Sequence, residues 1–284
     1  MSGDQGDRLP FAVRSEAALA GDIEGEGHPL VLCHGLTATR RQVLHGSRLL
    51  AGRGHRVIAY DARGHGESEP APPGSGYGYP HLVADLDAVA AQAGGEPFLL
   101  AGHSMGAHTA VAYALAHPQR LAGLVVIGPV YRGPFADAAQ RQAALARWDE
   151  LADGLEGGGV EGFLAAIDRH GLDPSWRQAV LRFTRERMLL HRHPQAVVEA
   201  LREVPRSKPF ASLGELERLE LPALVVASHD VADPGHPYAV AEAYADHLPN
   251  ATLISEAEGE SPLAWQGGRL SQAIAAWLDA NKLW

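Results

Sequence analysis

Six short apolar segments, each the length of a β-strand, recur along the chain and constrain its fold more than any other feature. Most are continuously apolar, as expected of strands covered on both faces of a sheet. Segments of helical length, with apolar residues every three or four positions, separate them. The alternation predicts an α/β fold, in which helices wrap a mostly parallel sheet. The predicted strands are residues 29–35, 55–61, 97–104, 121–128, 222–230 and 251–256, and the predicted helices are residues 38–52, 79–93, 105–117, 236–248 and 268–280.

The interval between residues 128 and 222 interrupts this alternation. It carries several amphipathic helical patterns, no convincing strand, and a glycine-rich joint, LEGGGVEG, at residues 155–162. A structureless loop of that length is improbable inside a compact domain. We therefore expect a helical cap over residues 129–219, inserted into a core formed by residues 1–128 and 220–284.

Charge and cysteine content narrow the ligand class and the cellular compartment. The formal net charge is −10, which opposes binding to nucleic acid or anionic lipid, because both attract clustered Lys and Arg. Cys33 is the only cysteine, so no intrachain disulfide can form. The polar first residues lack the pattern of a signal peptide, and no apolar run approaches a membrane span. These observations predict a cytoplasmic protein with a small-molecule organic ligand and with neither nucleic acid nor a membrane as partner.

The segment AGHSMGAHT, residues 101–109, places a serine between two glycines at a predicted strand-to-helix turn. G-x-S-x-G in this setting is typical of a nucleophile elbow, a strained turn that holds the serine hydroxyl outward. Gly102 and Gly106 are needed because the strand and the helix pass too close together for a Cβ atom. We therefore expect Ser104 to be a nucleophile.

Two backbone amides are candidates for an oxyanion hole. The dipeptide His34-Gly35 ends a predicted strand, so the N–H group of Leu36 can face the same rim of the sheet as Ser104. Met105 begins the helix after the serine, where free N–H groups favour negative charge. Leu36 and Met105 are therefore predicted to supply the two donors.

Three ordered motifs resemble those of the α/β-hydrolase superfamily. They are His-Gly after one strand, D-x-R-G-H-G-x-S after the next, and GHSMG at the elbow. The resemblance extends over roughly residues 10–280 and implies an α/β-hydrolase sheet with a helical cap. It also implies nucleophile, acid and histidine in that chain order. A serine at the elbow differs from the epoxide- and haloalkane-cleaving branches, which carry aspartate there.

The resemblance places the acid just past the strand that follows the cap. The usual G-x-x-D spacing maps onto residues 227–230, so Asp230 is the expected orienting carboxylate and Asp233 is the alternative. The catalytic histidine should follow the last strand, in a segment that usually reads G-H-S-P. Here that segment reads G-E-S-P, with Glu260 in the histidine position, and no histidine follows His247.

A histidine from elsewhere must then accept the proton of Ser104. His236 lies at the predicted start of the helix after Asp230, on the rim where strand ends gather. It is the predicted base, and His229 is the alternative. Glu260 could hold that histidine by a hydrogen bond, or act as a base itself if burial raises its pKa.

The remaining histidines are expected to play other roles. Structural roles are expected for His34, His65, His103 and His108, and an exposed helix end for His191 and His193. The basic stretch at residues 182–192 is interpreted as a solvated helix face, with contact to an acidic substrate as the alternative.

These residues predict a hydrolase that uses no metal and no cofactor, because no close metal-ligand pattern, Walker motif or dinucleotide motif is present. The expected substrate is a small or medium carboxylic ester, thioester or lactone, cleaved through an acyl-enzyme on Ser104. Glu260 raises an alternative, a hydrolase fold that no longer hydrolyses. Such a protein would be a lyase, an isomerase, a cyclase or a ligand-binding module.

Overall fold

An eight-stranded sheet forms the centre of the molecule in a computed structural model that describes residues 8–95, 97–134, 137–229 and 231–284. The strand order is β1-β2-β4-β3-β5-β6-β7-β8. Strand β2 runs antiparallel to both of its neighbours, and all other pairs are parallel. The strands are β1 (Leu9–Arg14), β2 (Ala18–Glu24), β3 (His28–Cys33), β4 (His55–Tyr60), β5 (Phe98–His103), β6 (Leu121–Ile127), β7 (Ala223–Val226) and β8 (Ala251–Ile254).

Eight helices accompany this sheet in the described residues. They are α1 (Leu49–Gly52), α2 (Tyr79–Ala90), α3 (Met105–Ala116), α4 (Ala138–Arg169), α5 (Arg177–Met188), α6 (Pro194–Glu203), α7 (Tyr238–His247) and α8 (Gly267–Ala280). The α/β prediction is confirmed, with each predicted strand present. None of these helices has the length and apolarity needed to cross a bilayer.

Two differences from the predicted elements lie in the first part of the chain. The hairpin of β1 and β2 was not among the predicted strands, because its residues are only partly apolar. The predicted helix at 38–52 is wrong over most of its length, since only a short turn at Arg40–Gln42 and α1 are helical. His45 and Gly46 both have positive φ values, 47° and 78°, which an α-helix does not accept.

Both faces of the sheet are buried, which explains why its strands are continuously apolar. On one face Leu100 and Val126 belong to the same core cluster as Leu86 of α2 and Val111 of α3. On the other face, Leu99 and Val125 belong to a cluster that includes residues of α8. Alternate residues of one strand thus enter opposite layers of the core.

The helices α4, α5 and α6 lie between β6 and β7 in the chain and form their own apolar cluster. Helix α4 is broken at Gly159 (φ 58°, ψ −148°), inside the glycine-rich joint of residues 155–162. The two halves of α4 then pass very close together. A Cβ atom on Gly162 would lie 2.1 Å from the carbonyl oxygen of Gly154.

This helical segment is fastened to the core at the end of α5. His191 Nδ1 accepts a hydrogen bond from the N–H of Gly66 at 2.8 Å, and its Nε2–H donates to the carbonyl of Thr37 at 3.0 Å. The N–H of Arg192 donates to the Gly66 carbonyl at 2.9 Å. The expectation that His191 lies at an exposed helix end is therefore wrong, because these partners bury it.

Candidate active site

Ser104 lies in a strained turn between β5 and α3. Its φ of 53° and ψ of −114° are unfavourable for a residue with a side chain. The two glycines make this turn possible. A Cβ atom on Gly102 would lie 2.1 Å from the carbonyl oxygen of Gly106, and a Cβ atom on Gly106 would lie 2.2 Å from the carbonyl oxygen of Cys33. The Ser104 N–H donates to the carbonyl of Ile127, which places the elbow beside the carboxyl end of β6.

The turn after β3 approaches the serine side chain. A Cβ atom on Gly35 would lie 3.3 Å from Ser104 Cβ. Leu36, the next residue, packs against the apolar clusters beneath the helices α4 to α6. Within the described residues, no protein acceptor takes the N–H of Leu36. Met105 is the first residue of α3, so its N–H has no partner within the helix. Both groups are available to an oxyanion.

A histidine-carboxylate pair lies next to the elbow. His236 Nδ1 and Asp233 Oδ2 are 2.8 Å apart, and the two side chains are 17% and 13% exposed. The His236 ring lies 5.0 Å from the ring of His103, the residue before the nucleophile. A Cβ atom on Gly128, which follows β6, would lie 3.2 Å from the His236 ring. The loop before α7 therefore brings an imidazole to the place where β5 and β6 end.

The charge state of this pair follows from its surroundings. Burial alone would raise the pKa of Asp233, but the charge and hydrogen bond of His236, with the charges of His103 and Arg187, lower the pKa below its ordinary value. Asp233 is therefore an ionised acceptor. In the neutral form of His236, the nitrogen that faces Asp233, Nδ1, carries the proton, and Nε2 is left to accept one.

Of the other expected acids, the structure describes Glu260 but not Asp230. Glu260 is exposed, and its carboxylate accepts a hydrogen bond from Arg269 Nη1 at 2.9 Å. Asp230 lies outside the described residues. Glu260 therefore pairs with Arg269 rather than with the histidine, and the expectation for Asp230 stays a prediction. Among the described residues, the carboxylate that contacts His236 is the alternative acid, Asp233. His229, the alternative base, is exposed and stacks on Tyr238 at a ring distance of 3.9 Å.

Three further histidines have structural roles, as expected from the sequence. His34 donates from Nδ1 to the Gly35 carbonyl and accepts the Ala62 N–H at Nε2. His108 accepts the N–H groups of Val130 and Tyr131 at one Nε2 atom. Nδ1 of His65 donates to the Arg63 carbonyl. Burial lowers the pKa of all three, to about 4 for His34 and to about 3 for the other two, so they remain neutral.

His103 directly precedes Ser104 in the chain, and its ring lies 5.0 Å from the ring of His236. Its Nε2 atom is buried and has no hydrogen-bond partner among the described residues. Burial and the neighbouring charge of His236 lower its pKa to about 3. A ring this reluctant to accept a proton is a poor general base near neutral pH.

Arg187, in the last turn of α5, is a site residue that sequence reasoning missed. Burial lowers its pKa to about 10, and the charge of Asp233 opposes that shift. Its charge also lowers the pKa of His103 and of His45. The only sequence signal was the basic stretch at residues 182–192, which also contains arginines that face solvent.

Part of the chain is similar in sequence to proteins of known activity. Part of the chain is 36% identical over 108 residues to epoxide hydrolase B of Mycobacterium tuberculosis. The matched segment is 38% of this chain and 30% of that protein. A similar part is 37% identical over 107 residues to the non-heme haloperoxidase of Rhodococcus erythropolis, covering 37% of this chain and 38% of that protein. The chain thus spans about a third of the length of these curated relatives.

Solved structures match nearly the whole chain. A thermophilic esterase from Thermogutta terrifontis superposes with a TM-score of 0.76 at 25% identity, over 96% of this chain and 98% of that one. The enol-lactonase of Burkholderia xenovorans shares the fold, with a TM-score of 0.71 at 19% identity over 95% and 100% of the two chains. The family model for the alpha/beta hydrolase fold matches residues 28–266. The family match, together with the serine elbow and the strand order, shows that the chain belongs to the α/β-hydrolase family.

Proposed function

We propose that the chain is a hydrolase that cleaves a carboxylic ester, thioester or lactone of small or medium size through an acyl-enzyme on Ser104. The observation that carries this proposal is the pair of His236 and Asp233, joined at 2.8 Å beside the nucleophile elbow. It supplies an oriented base where the usual histidine position holds Glu260. Similarity over nearly the full chain to a protein described as an esterase supports the reaction class.

Acylation begins with attack of Ser104 Oγ on the substrate carbonyl carbon. The hydroxyl proton passes to Nε2 of His236, while Nδ1–H of the same ring donates to Asp233 and stabilises the imidazolium. The carbonyl oxygen becomes negative and accepts hydrogen bonds from the N–H groups of Leu36 and Met105. The tetrahedral intermediate then collapses, and the alcohol or thiol leaves with the proton from Nε2.

Deacylation repeats these steps with water. Nε2 of His236 takes one proton from the water, whose oxygen attacks the acyl carbon. The bond between that carbon and Ser104 Oγ breaks, and Oγ recovers the proton. An ester suits this site better than an amide, because an amine leaving group needs a more effective general acid.

A fluorophosphonate probe tests the proposal, because it labels only an activated serine. Wild-type protein is expected to be labelled, and Ser104→Ala is expected to abolish the labelling. His236→Ala should slow labelling by about 10²- to 10⁴-fold, the usual contribution of a general base. His229→Ala is the matched control in the same loop and should label at the wild-type rate.

Two outcomes would contradict the proposal. Absence of labelling of the folded wild-type protein at every pH from 5 to 9 would exclude an activated Ser104. Equal labelling rates in His236→Ala and wild type would exclude His236 as the base.

One observation favours a second candidate, a hydrolase fold that does not hydrolyse. Among the described residues, none accepts or donates a hydrogen bond at the Ser104 hydroxyl, although catalytic hydrogen bonds are often long in unliganded sites. A lyase, isomerase, cyclase or binding module would use the two backbone amides without an acyl-enzyme. The same probe separates the candidates, since such a protein would remain unlabelled.

A further inference from the structure

Arg187 is the residue of the site that the proposed reaction leaves without a role. Its charge acts on Asp233 and His103, the two residues whose side chains flank the His236 ring. Its Nε atom is buried and has no hydrogen-bond partner among the described residues. The residue as a whole is half-buried, so its guanidinium is only partly exposed to solvent.

The other arginines of this helical segment show what is unusual about Arg187. Four of them have a carboxylate partner within 3 Å, in the pairs Arg177–Asp168, Arg185–Glu161, Arg202–Glu156 and Arg206–Asp149. Those that form no ion pair within the described part of the chain are exposed, namely Arg141, Arg147, Arg169 and Arg182, whereas Arg187 is half-buried. No carboxylate within the described residues forms such an ion pair with Arg187. An unpaired cation beneath a cap is costly unless a ligand supplies the missing partner.

The side chain of Arg187 is also held in place. Its guanidinium carbon lies 5.9 Å from the centre of the Phe183 ring, one turn earlier on α5. That ring lies 5.5 Å from the ring of His45 in the core, and His45 Nε2 is 3.0 Å from the carbonyl oxygen of Ala264. Contacts from both the core and α5 thus fix the direction of the guanidinium before a ligand arrives.

We propose that Arg187 binds a carboxylate group of the substrate, which makes half-esters of dicarboxylic acids and carboxylate-bearing lactones the substrate class. This inference rests on the proposed ester-cleaving function. A guanidinium with free donors matches a carboxylate in charge and in fork geometry. Because the whole chain carries a formal charge of −10, its overall field repels anions, so a preference for them must come from a local cation. With a pKa of about 10, Arg187 stays protonated at neutral pH.

Matched ester pairs test this inference. The 4-nitrophenyl half-ester of glutaric acid carries a terminal carboxylate, and 4-nitrophenyl valerate has the same acyl length without it. Wild type should show the higher kcat/KM for the anionic ester, and Arg187→Gln should reduce the ratio of the two values by about 10- to 100-fold, mainly through KM. Arg187→Lys should keep part of the preference, because it keeps the charge.

A second pair places the carboxylate on the alcohol side. Here 4-acetoxybutyrate is compared with butyl acetate in the same variants. Arg185→Gln is the matched control for both pairs, since Arg185 lies on the same helix and pairs with Glu161 at the surface. It should keep the wild-type ratios. A wild type without preference in either pair, or ratios that Arg187→Gln leaves unchanged, would overturn the inference.

A binding measurement separates failure of this inference from failure of the proposed function. Monoethyl glutarate is titrated by calorimetry into Ser104→Ala and into Ser104→Ala with Arg187→Gln. Loss of at least about tenfold in affinity in the double variant supports the carboxylate site even if no ester is cleaved. Equal affinity in both variants refutes it even if 4-nitrophenyl valerate is hydrolysed, in which case the hydrolase proposal still stands.

Discussion

At the scale of single residues, the proposed acid and the proposed base come from one short turn. Asp233 and His236 are three positions apart, and the N–H of His236 donates to the Asp233 carbonyl at 3.1 Å, which closes the turn and lets the side chains meet. In the usual arrangement of the fold, the histidine comes from the loop after the last strand. Here that loop carries Glu260, which lies at the surface with Arg269. In the proposed mechanism, this one turn supplies the acid and the base, which normally come from two loops.

Asp233→Asn is expected to lower the rate of Ser104 labelling by about 100-fold or more. The amide cannot stabilise the imidazolium, and it favours the wrong tautomer of His236. Glu260→Gln should change the rate by less than about twofold, because its partner is an exposed arginine. Labelling rates of the two variants at neutral pH decide which carboxylate serves the base. A large loss in Glu260→Gln with none in Asp233→Asn would contradict this assignment.

At the scale of secondary structure, the glycines of the cap set its shape. Gly159 takes a backbone conformation that residues with a Cβ atom avoid, and it reverses α4 so that Gly154 and Gly162 touch. This helical corner shapes the cluster that packs on Leu36 near the elbow. The position of the joint was predictable from composition, whereas the crossing of its two halves was not.

Gly162→Ala is expected to destabilise the protein by about 2 kcal/mol, because its methyl group would clash with the Gly154 carbonyl and force the helices apart. Urea denaturation measures this change in the free energy of unfolding. Gly158→Ala is the matched control: a Cβ atom there meets nothing within 4 Å, and alanine favours the helix. A Gly162→Ala protein as stable as wild type would show that the two halves of α4 do not cross this closely.

At the scale of the whole molecule, buried neutral histidines join the loops around the site. His34, His65, His108 and His191 are each at most 7% exposed. Burial lowers the pKa of His191 to about 4, as it does for His34, and holds His65 and His108 near 3. His191 connects α5 to two loops of the core, so its protonation would break the hydrogen bond from Gly66.

These histidines should make stability depend on pH. Their folded pKa values lie below the unfolded value of about 6.5, so the unfolded chain binds more protons between pH 6.5 and about 4. Their contribution is complete above pH 6.5 and falls by at most about 1.4 kcal/mol per histidine for each pH unit below it. Urea denaturation at pH 7.5, 6.5 and 5.5 measures the fall.

His108→Gln should reduce that slope by the contribution of one histidine. The glutamine carbonyl can still accept the N–H groups of Val130 and Tyr131, so part of the hydrogen bonding is kept while the titrating group is removed. A slope equal to that of wild type would show that His108 is not held neutral by burial.

The sequence by itself determined the alternation of strands and helices, the serine elbow and the absence of a histidine after the last strand. These features depend on local periodicity and on sterics within a few residues, as at Gly102 and Gly106. Only the tertiary structure decided that Asp233 meets His236, that His191 is buried, and that Arg187 forms no ion pair with a described carboxylate. Each of these depends on how segments far apart in the chain pack together, and packing selects the partners of a side chain that no local pattern specifies.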